Sequence, residues 1–384
     1  MNDSGPETAC TKGPDPGPTI PRPSIQPPAE PAANRFVFLD YLRAMAAWAV
    51  VWDHLFCAWP AEHGVQLGFV GLVRTYVTQP LGIIQDFGWM AVAIFFLVSG
   101  FIITHVAMRE NVGEFLIKRF FRVFPMLAVF VLLVTALSPT LRAEISLGDL
   151  LRNMTLVNYF FSPQVITVGV AWTLVIEVIF YLLVAATLWT GGHGLKIAIN
   201  LVVPTLVIFF SRNFGPNFFL FAASMAYVPY LVVGQILYFS RYRRNLGMTA
   251  TGLWLVGCLA TVLYGITSIH TAFLPVTNSY LINFIYSCVI FCVLFSLNRQ
   301  LPPLPVVRFL ADTSFAVYLV HGVLGRAAFD VVAANWGIRL AVLVGLVVTM
   351  AAATIVHFVL ERPSLAAGRR IARQFRSRPM AAKF

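Results

Sequence analysis

An arginine and a histidine occupy the apolar segment at residues 36–59. Arg43 and His54 are about 20° apart around an α-helix and about 16 Å apart along it. If the helix spans a membrane, each ionisable side chain requires a partner, a water-filled cavity or a function. Asp40, three residues before Arg43, is spaced to hold its guanidinium group. The spacing therefore predicts one helix face with Arg43 and His54 at different depths.

Two uses of this face are open. A single histidine in an apolar helix often packs and hydrogen-bonds to a neighbouring helix. An arginine and a histidine on one face, with the small residues Ala47 and Val50 between them, suit a narrow ligand lying along the helix. We therefore hypothesise a ligand tunnel in which His54 acts as a general base or a nucleophile.

A second apolar segment, at residues 169–189, carries a polar row. Thr173, Glu177 and Tyr181 recur at steps of four and share a helix face, and Trp172 precedes them. A buried Glu177 can remain protonated and donate one hydrogen bond. Alternatively, its carboxylate can orient Nδ1 of His54 and leave the other ring nitrogen to act as a base. The second hypothesis makes Glu177 and His54 catalytic partners.

A pair of arginines lies at the start of a third apolar segment. Arg119 and Arg122 are three residues apart and are followed by Pro125. Two guanidinium groups on one side of a helical turn suit the oxygens of a phosphate. Ordinary anchoring of basic residues on the cytoplasmic face explains the pair equally well.

The rest of the chain indicates what positions these residues. Of 384 residues, 59% are hydrophobic and 11% are charged, less than half the charged fraction of a soluble domain. Apolar runs long enough to approach a bilayer's thickness predict an all-α, polytopic membrane protein with about ten transmembrane helices. The runs are at residues 36–59, 88–108, 120–138, 169–189, 195–211, 217–239, 248–268, 280–297, 308–331 and 338–360.

Three parts of the chain differ in composition. Residues 1–34 are rich in proline and predict a disordered cytoplasmic tail, 35–363 form the membrane domain, and 364–384 form a basic cytoplasmic tail. If both termini are cytoplasmic, about 20 of the 27 Lys and Arg residues lie on the cytoplasmic side of the membrane. This distribution accounts for the net charge of +11 without a nucleic-acid partner. The outer loops at 60–87 and 139–168 are expected to select a substrate.

Together these motifs resemble the bacterial acyltransferase 3 family of ten-helix membrane O-acyltransferases. The resemblance covers about residues 35–365. The matching residues are Arg43 and His54, Ser99 and Gly100 in a Phe-Phe-Leu-Val-Ser-Gly-Phe motif, Arg119 and Arg122, Trp172, Thr173 and Glu177, Tyr318 and His321, and Glu361-Arg362-Pro363.

The resemblance implies transfer of an acyl group, most often acetyl from acetyl-coenzyme A, to a hydroxyl of a carbohydrate or glycosylated acceptor. It implies a multi-pass protein of the bacterial inner membrane that uses no metal. Arg119, Arg122 and Arg43 would hold coenzyme A, and His54, Glu177 and Arg43 would act in catalysis. Supporting residues would be Asp40, Ser99, Gly100, Trp172, Thr173, Tyr181 and His321.

Two alternatives remain. A succinyltransferase of similar architecture would differ only in its donor. A transporter or flippase would use the arginine, histidine and glutamate as an ion relay, although transporters usually contain internal repeats and none is evident here.

Overall fold

The computed structural model describes residues 35–242, 246–269 and 278–376. The regular elements within these ranges are all helical, which confirms the predicted all-α membrane fold. The predicted disordered tail at residues 1–34 lies outside the described residues, as do residues 377–384 of the predicted basic tail.

Within the described residues, each of the ten predicted apolar segments contains a main helix, and one further long helix follows them. The shorter helices Pro216–Met225 and Arg326–Trp336 belong to the sixth and ninth segments. Helices satisfy their backbone polar groups internally, as a bilayer interior requires. The ten main helices and the long helix that follows them are α1 (Val37–Val51), α2 (Gly88–Ala107), α3 (Val112–Leu137), α4 (Trp172–Thr187), α5 (His193–Phe209), α6 (Val228–Tyr242), α7 (Met248–Ser268), α8 (Asn278–Ser296), α9 (Pro305–Val320), α10 (Ile338–Val356) and α11 (Arg362–Arg376).

Eight helical segments of the described residues, which contain α2–α4 and α6–α10, are long and apolar enough to cross a membrane. The apolar helix α5 is shorter, at 17 residues. Helix α1 continues through a π-helical turn, Trp52–Ala58, and carries Asp40, Arg43, Asp53 and His54. The chain is a polytopic membrane protein.

Further π-helical turns extend other helices. In the part of the chain that the structure describes, such turns are Trp52–Ala58 after α1, Arg74–Thr78 in the next connection, His321–Gly325 after α9 and His357–Glu361 after α10. Turns of this kind often mark functional sites. Three of the four contain a histidine, namely His54, His321 and His357.

Helix α2 is the most enclosed of the candidate spans, because 72% of its most apolar window is buried within the protein. Gly100 of α2 lies against the backbone of Leu231 in α6, and Gly234 of α6 lies against the backbone of Leu97, with no room for a Cβ at either glycine. Small residues allow membrane helices to approach this closely. Gly100 therefore allows α6 to pack directly against the backbone of α2.

Helix α1 defines two ends of the bundle. We term the end at which α1 begins the proximal end, and the end reached by its π-helical turn the distal end. Near the proximal end α11 packs along α3, where Ser364 Oγ donates a 2.5 Å hydrogen bond to the carbonyl of Phe121. The predicted basic tail is thus helical as far as Arg376.

The connection from α3 to α4 folds over the distal end. Its buried Asn153 donates to the carbonyl of Val165 at 2.9 Å and accepts from the backbone N–H of Thr167 at 3.0 Å. In the connection from α1 to α2, Arg74 donates to both carboxylate oxygens of Asp86. These bonds raise the pKa of Arg74 above its ordinary value. Both connections are therefore held in defined conformations beside the site.

Candidate active site

Helix α1 supports the site along its length. Arg43 lies toward the proximal end, and His54 lies in the π-helical turn toward the distal end. Between them Ala47 is buried, and Val50 lines a cavity that His54 also lines. Asp40 is buried one turn before Arg43, and its negative charge acts on that guanidinium. The face of α1 that the sequence predicts, with Arg43 and His54 at different depths, therefore lines cavities inside the protein.

A narrow cavity of about 80 Å³ lies beside Arg43, inside the bundle. It gathers residues that the sequence places far apart, from helices α1, α2, α3, α4 and α9. Of the residues predicted for the site, those that line it are Arg43, Ser99, Arg119, Arg122, Thr173 and Glu177. Three guanidinium groups face one carboxylate, so the space attracts an anion. We term it the arginine cavity.

Arg119 is positioned by aromatic rings. Its guanidinium lies 5.7 Å from the ring centre of Phe115 and 5.8 Å from that of Tyr181. Its Nε is buried and has no hydrogen-bond partner among the described residues. A buried donor without a partner costs about 1 to 3 kcal/mol, which a ligand oxygen would recover. The adjacent Lys118 differs, since Glu110 and Glu114 each bind its ammonium group at 2.6 Å.

Glu177 belongs to the arginine cavity. Its carboxylate accepts a 2.5 Å hydrogen bond from Tyr181 Oη, and its charge attracts Arg122, which also hydrogen-bonds to Tyr181. The prediction that Glu177 orients Nδ1 of His54 is wrong, because that nitrogen bonds to another side chain. Glu177 instead attracts the guanidinium group of Arg122 and so helps to position it in the cavity.

The partner of His54 is His321. His54 Nδ1 lies 2.9 Å from His321 Nε2, and the rings stack with their centres 5.1 Å apart. His321 Nδ1 in turn lies 3.0 Å from the carbonyl oxygen of Val317. The two histidines, 267 residues apart in the chain, therefore form a chain of hydrogen bonds that ends on the backbone of α9.

This chain of hydrogen bonds assigns the ring protons. A carbonyl oxygen only accepts, so His321 Nδ1 carries a proton and, in a neutral ring, His321 Nε2 accepts. His54 Nδ1 is then the donor, and the lone pair of His54 lies on Nε2. The carboxylate of Asp53 is 4.0 Å from that nitrogen. His54 thus presents an unprotonated nitrogen beside the carboxyl group of Asp53, whose ionised form would stabilise the ring after it accepts a proton.

Two wider cavities meet at His54 at the distal end. Their volumes are about 520 Å³ and 310 Å³, and His54, Val170 and Trp172 line both. Both distal connections reach them, since Gln85 lines the smaller cavity and Thr167 the larger. We term them the distal cavities.

Charged residues form one wall of the larger distal cavity. Arg326 binds Glu62 at 2.7 Å and Asp330 at 2.8 Å, and lies 5.4 Å from the ring centre of Trp59. The second carboxylate oxygen of Asp330, Oδ1, is buried without a hydrogen-bond partner in the described residues. This wall offers a free acceptor to a hydroxylated ligand.

Tyr318 lies where the arginine cavity meets the distal cavities. It lines both spaces, as Val92 does. Its hydroxyl accepts from Thr173 Oγ1 at 3.0 Å and donates to the carbonyl of Val170 at 2.9 Å. Because each cavity shares lining residues with the next, they form a row from Arg43 to His54 along α1.

His321 was predicted only as a supporting residue and Tyr318 only as a motif residue, and Asp53 and Asp330 were not predicted for the site. The sequence gives a weak indication that His321 belongs to the site, because it ends a Tyr-Leu-Val-His motif in an apolar helix. The described residues contain no cluster of three or more His, Cys, Asp or Glu side chains placed to hold a metal ion.

The chain was compared with known proteins. A family model described as an acyltransferase domain matches residues 36–358. Nodulation protein 10 of Rhizobium leguminosarum bv. viciae is 24% identical over 324 residues, which cover 73% of this chain and 81% of that protein. No solved structure matches. The family match covers all ten predicted apolar segments apart from the last two residues, and the chain therefore belongs to the acyltransferase 3 family of membrane acyltransferases.

Proposed function

We propose that this protein transfers an acyl group, acetyl in the first instance, from acyl-coenzyme A to a hydroxyl of a carbohydrate or glycosylated acceptor. The observation that carries the proposal is the row of cavities from the arginines of α3 to His54 Nε2. A donor with phosphates at one end and a thioester at the other matches such a row.

The donor would enter from the proximal end. Arg119, whose Nε is without a partner in the described residues, and Arg122 would hold its phosphates by charge-assisted hydrogen bonds. Arg43 would contact the pantetheine arm or its diphosphate. The narrow cavity fits a linear arm better than a folded ligand. Coenzyme A is cytoplasmic, so the proximal end would face the cytoplasm of a bacterium, with the chain in its inner membrane.

The reaction would take place at His54. The acceptor hydroxyl would lose its proton to His54 Nε2 as its oxygen attacks the thioester carbonyl. The carbon–sulfur bond would break, and the proton would pass to the departing thiolate of coenzyme A. Asp53 would stabilise the intermediate imidazolium, and His321 would hold the ring in the productive orientation.

A covalent route uses the same nitrogen. His54 Nε2 would attack the thioester and release coenzyme A, and the acyl-histidine would then pass its acyl group to the acceptor oxygen. A radiolabelled acyl donor added without acceptor separates the two routes, because only the covalent route leaves label on the protein.

The distal cavities would bind the acceptor. Trp59 lines the larger of them, and Asp330 Oδ1 there offers an acceptor to a hydroxyl of a sugar. These cavities lie at the end opposite the donor entrance, so the acceptor would be membrane-bound or extracytoplasmic.

The decisive experiment compares cell-surface and exported glycans by mass spectrometry with and without the protein. A hydroxyl-linked acetyl group that disappears with the protein supports the proposal, and a lost succinyl group assigns the succinyltransferase alternative. Unchanged glycans, together with purified protein that does not bind acyl-coenzyme A, contradict the proposal and favour the transporter alternative.

A further inference from the structure

Another cavity adjoins the arginine cavity at the proximal end. Its volume is about 400 Å³, and it shares Arg43 and Arg122 with the arginine cavity. The π-helical turn after α10 and helix α11 supply Phe358, Arg362 and Arg369 to its wall. We term this space the vestibule.

The vestibule has an excess of positive charge. Four guanidinium groups line it, those of Arg43, Arg122, Arg362 and Arg369. Two carboxylates also line it, and one of them, that of Glu361, binds His357 Nδ1 at 2.7 Å; the other is that of Asp312. The vestibule therefore favours an anion with more than one negative charge.

An aromatic side chain lies among these arginines. The ring of Phe358 is half-exposed, and the guanidinium of Arg362 is 5.1 Å from its centre. Guanidinium groups bind phosphate oxygens in pairs, and exposed aromatic rings stack on nucleobases. Arginines beside such a ring suit a phosphorylated nucleoside.

The length of the donor indicates which of its parts reaches the vestibule. About 13 bonds separate the thioester sulfur of acyl-coenzyme A from its nearer phosphorus, which corresponds to about 15 Å of extended chain. His54 and Arg43 are separated by about 16 Å along α1. A thioester at His54 therefore places the diphosphate near Arg43 and the 3′-phosphoadenosine beyond it, in the vestibule.

Resting on the proposed function, we infer that the vestibule binds the 3′-phosphoadenosine half of the donor. Arg369 and Arg362 bind the 3′-phosphate, and Phe358 stacks on the adenine. Helix α11, in the basic segment of the chain, is thus part of the donor site.

The test measures binding of coenzyme A and of 3′-dephospho-coenzyme A to the full-length protein in neutral detergent. Arg369→Ala should weaken binding of coenzyme A about tenfold, because it removes a charge-assisted hydrogen bond to the 3′-phosphate. Binding of the dephosphorylated ligand should not change. Arg370→Ala is the matched control, since Arg370 is an exposed neighbour on α11 that does not line the vestibule.

Equal effects of Arg369→Ala on both ligands, or no effect on either, would overturn the inference. The same measurements in nanodiscs with and without phosphatidylglycerol test a second source of phosphate. If Arg369→Ala weakens binding only in the anionic lipid, and equally for both ligands, Arg369 binds lipid headgroups. That result also overturns the inference.

Failure of this inference can be distinguished from failure of the proposed function. If coenzyme A binds through Arg119 and Arg122 but its 3′-phosphate makes no difference, the inference alone fails. If the unaltered protein binds neither ligand, both fail.

Discussion

The arginine cavity and the distal cavities lie along the same helix and differ in width and charge. The arginine cavity encloses about 80 Å³ and has three guanidinium groups on its wall. The distal cavities enclose about 310 and 520 Å³, and the larger of them contains the paired charges of Arg326 and Asp330. A narrow cationic space selects a thin anionic ligand, and a wide space with balanced charges admits a bulky neutral one. The two ends of the row are therefore suited to different substrates.

The two regions also differ in how their functional groups are held. Arg119 retains a buried Nε with no partner among the described residues, so it is prepared for a ligand. His54 is fixed by His321, which is fixed by a backbone carbonyl, and only one of its ring nitrogens is free. Mutations in the arginine cavity are therefore expected to change the affinity for the ligand. Mutations around His54 are expected to change the orientation of its ring.

The largest effect is expected from His54→Ala. Loss of the general base or nucleophile should lower the acyl-transfer rate about 1,000-fold, while the affinity for coenzyme A stays within about twofold. A radiometric transfer assay and equilibrium binding measure the two quantities. His63→Ala is the control, since His63 lines none of the cavities in the row. Retained transfer in correctly inserted protein would contradict the role of His54.

The double variant Arg119→Ala with Arg122→Ala should produce the opposite pattern. Two charge-assisted contacts are lost, so coenzyme A should bind about 100-fold more weakly. Saturating donor should restore part of the rate, because His54 and His321 remain in place. Arg109→Ala provides an exposed basic control on the proximal side. Unchanged affinity would assign these arginines to anchoring of the helix.

His321→Ala should lower the rate about 30-fold without altering donor affinity, since His54 loses the acceptor that fixes its tautomer. His321→Gln, which supplies another acceptor, should recover about a third of the lost activity on a logarithmic scale. Rescue by Gln separates orientation of His54 from simple packing, which either substitution would disturb. If the two variants are equally inactive, loss of the hydrogen bond between His54 and His321 does not explain the lower rate.

The smallest effect is expected at Asp330. Asp330→Asn replaces its unpartnered oxygen with an amide and weakens one hydrogen bond from the acceptor, so the KM for acceptor should rise about fivefold. The KM for donor should not move. Asn335→Ala, on an exposed position of the same helical segment, is the control. A larger change in donor KM would place the acceptor elsewhere.

The sequence predicted much of the arginine cavity because its residues occur in short local patterns. Arg119 and Arg122 are three residues apart, and Thr173 and Glu177 are four apart, spacings that fix a shared helix face. Ten apolar segments likewise predicted ten helices, since hydropathy depends only on neighbouring residues. Local periodicity was sufficient for both results.

The histidine pair could not be predicted in the same way. His54 and His321 are 267 residues apart, and helical periodicity gives the face of a side chain without the depth at which two helices meet. Glu177 and His54 were hypothesised to be catalytic partners, yet α4 places the carboxylate beside Tyr181 in the arginine cavity. The π-helical turn at Trp52–Ala58 also departs from the ideal geometry that the sequence analysis assumed.

The narrow part of the row has a consequence for the membrane itself. A water-filled path across a bilayer would conduct protons and dissipate the membrane potential. Tyr318 and Thr173 are hydrogen-bonded to each other where the arginine cavity meets the distal cavities, and fixed guanidinium groups next to this junction oppose the passage of cations. The same constriction would therefore also act as an electrical seal, so that the proposed transfer of an acyl group across the bundle would not require a leak.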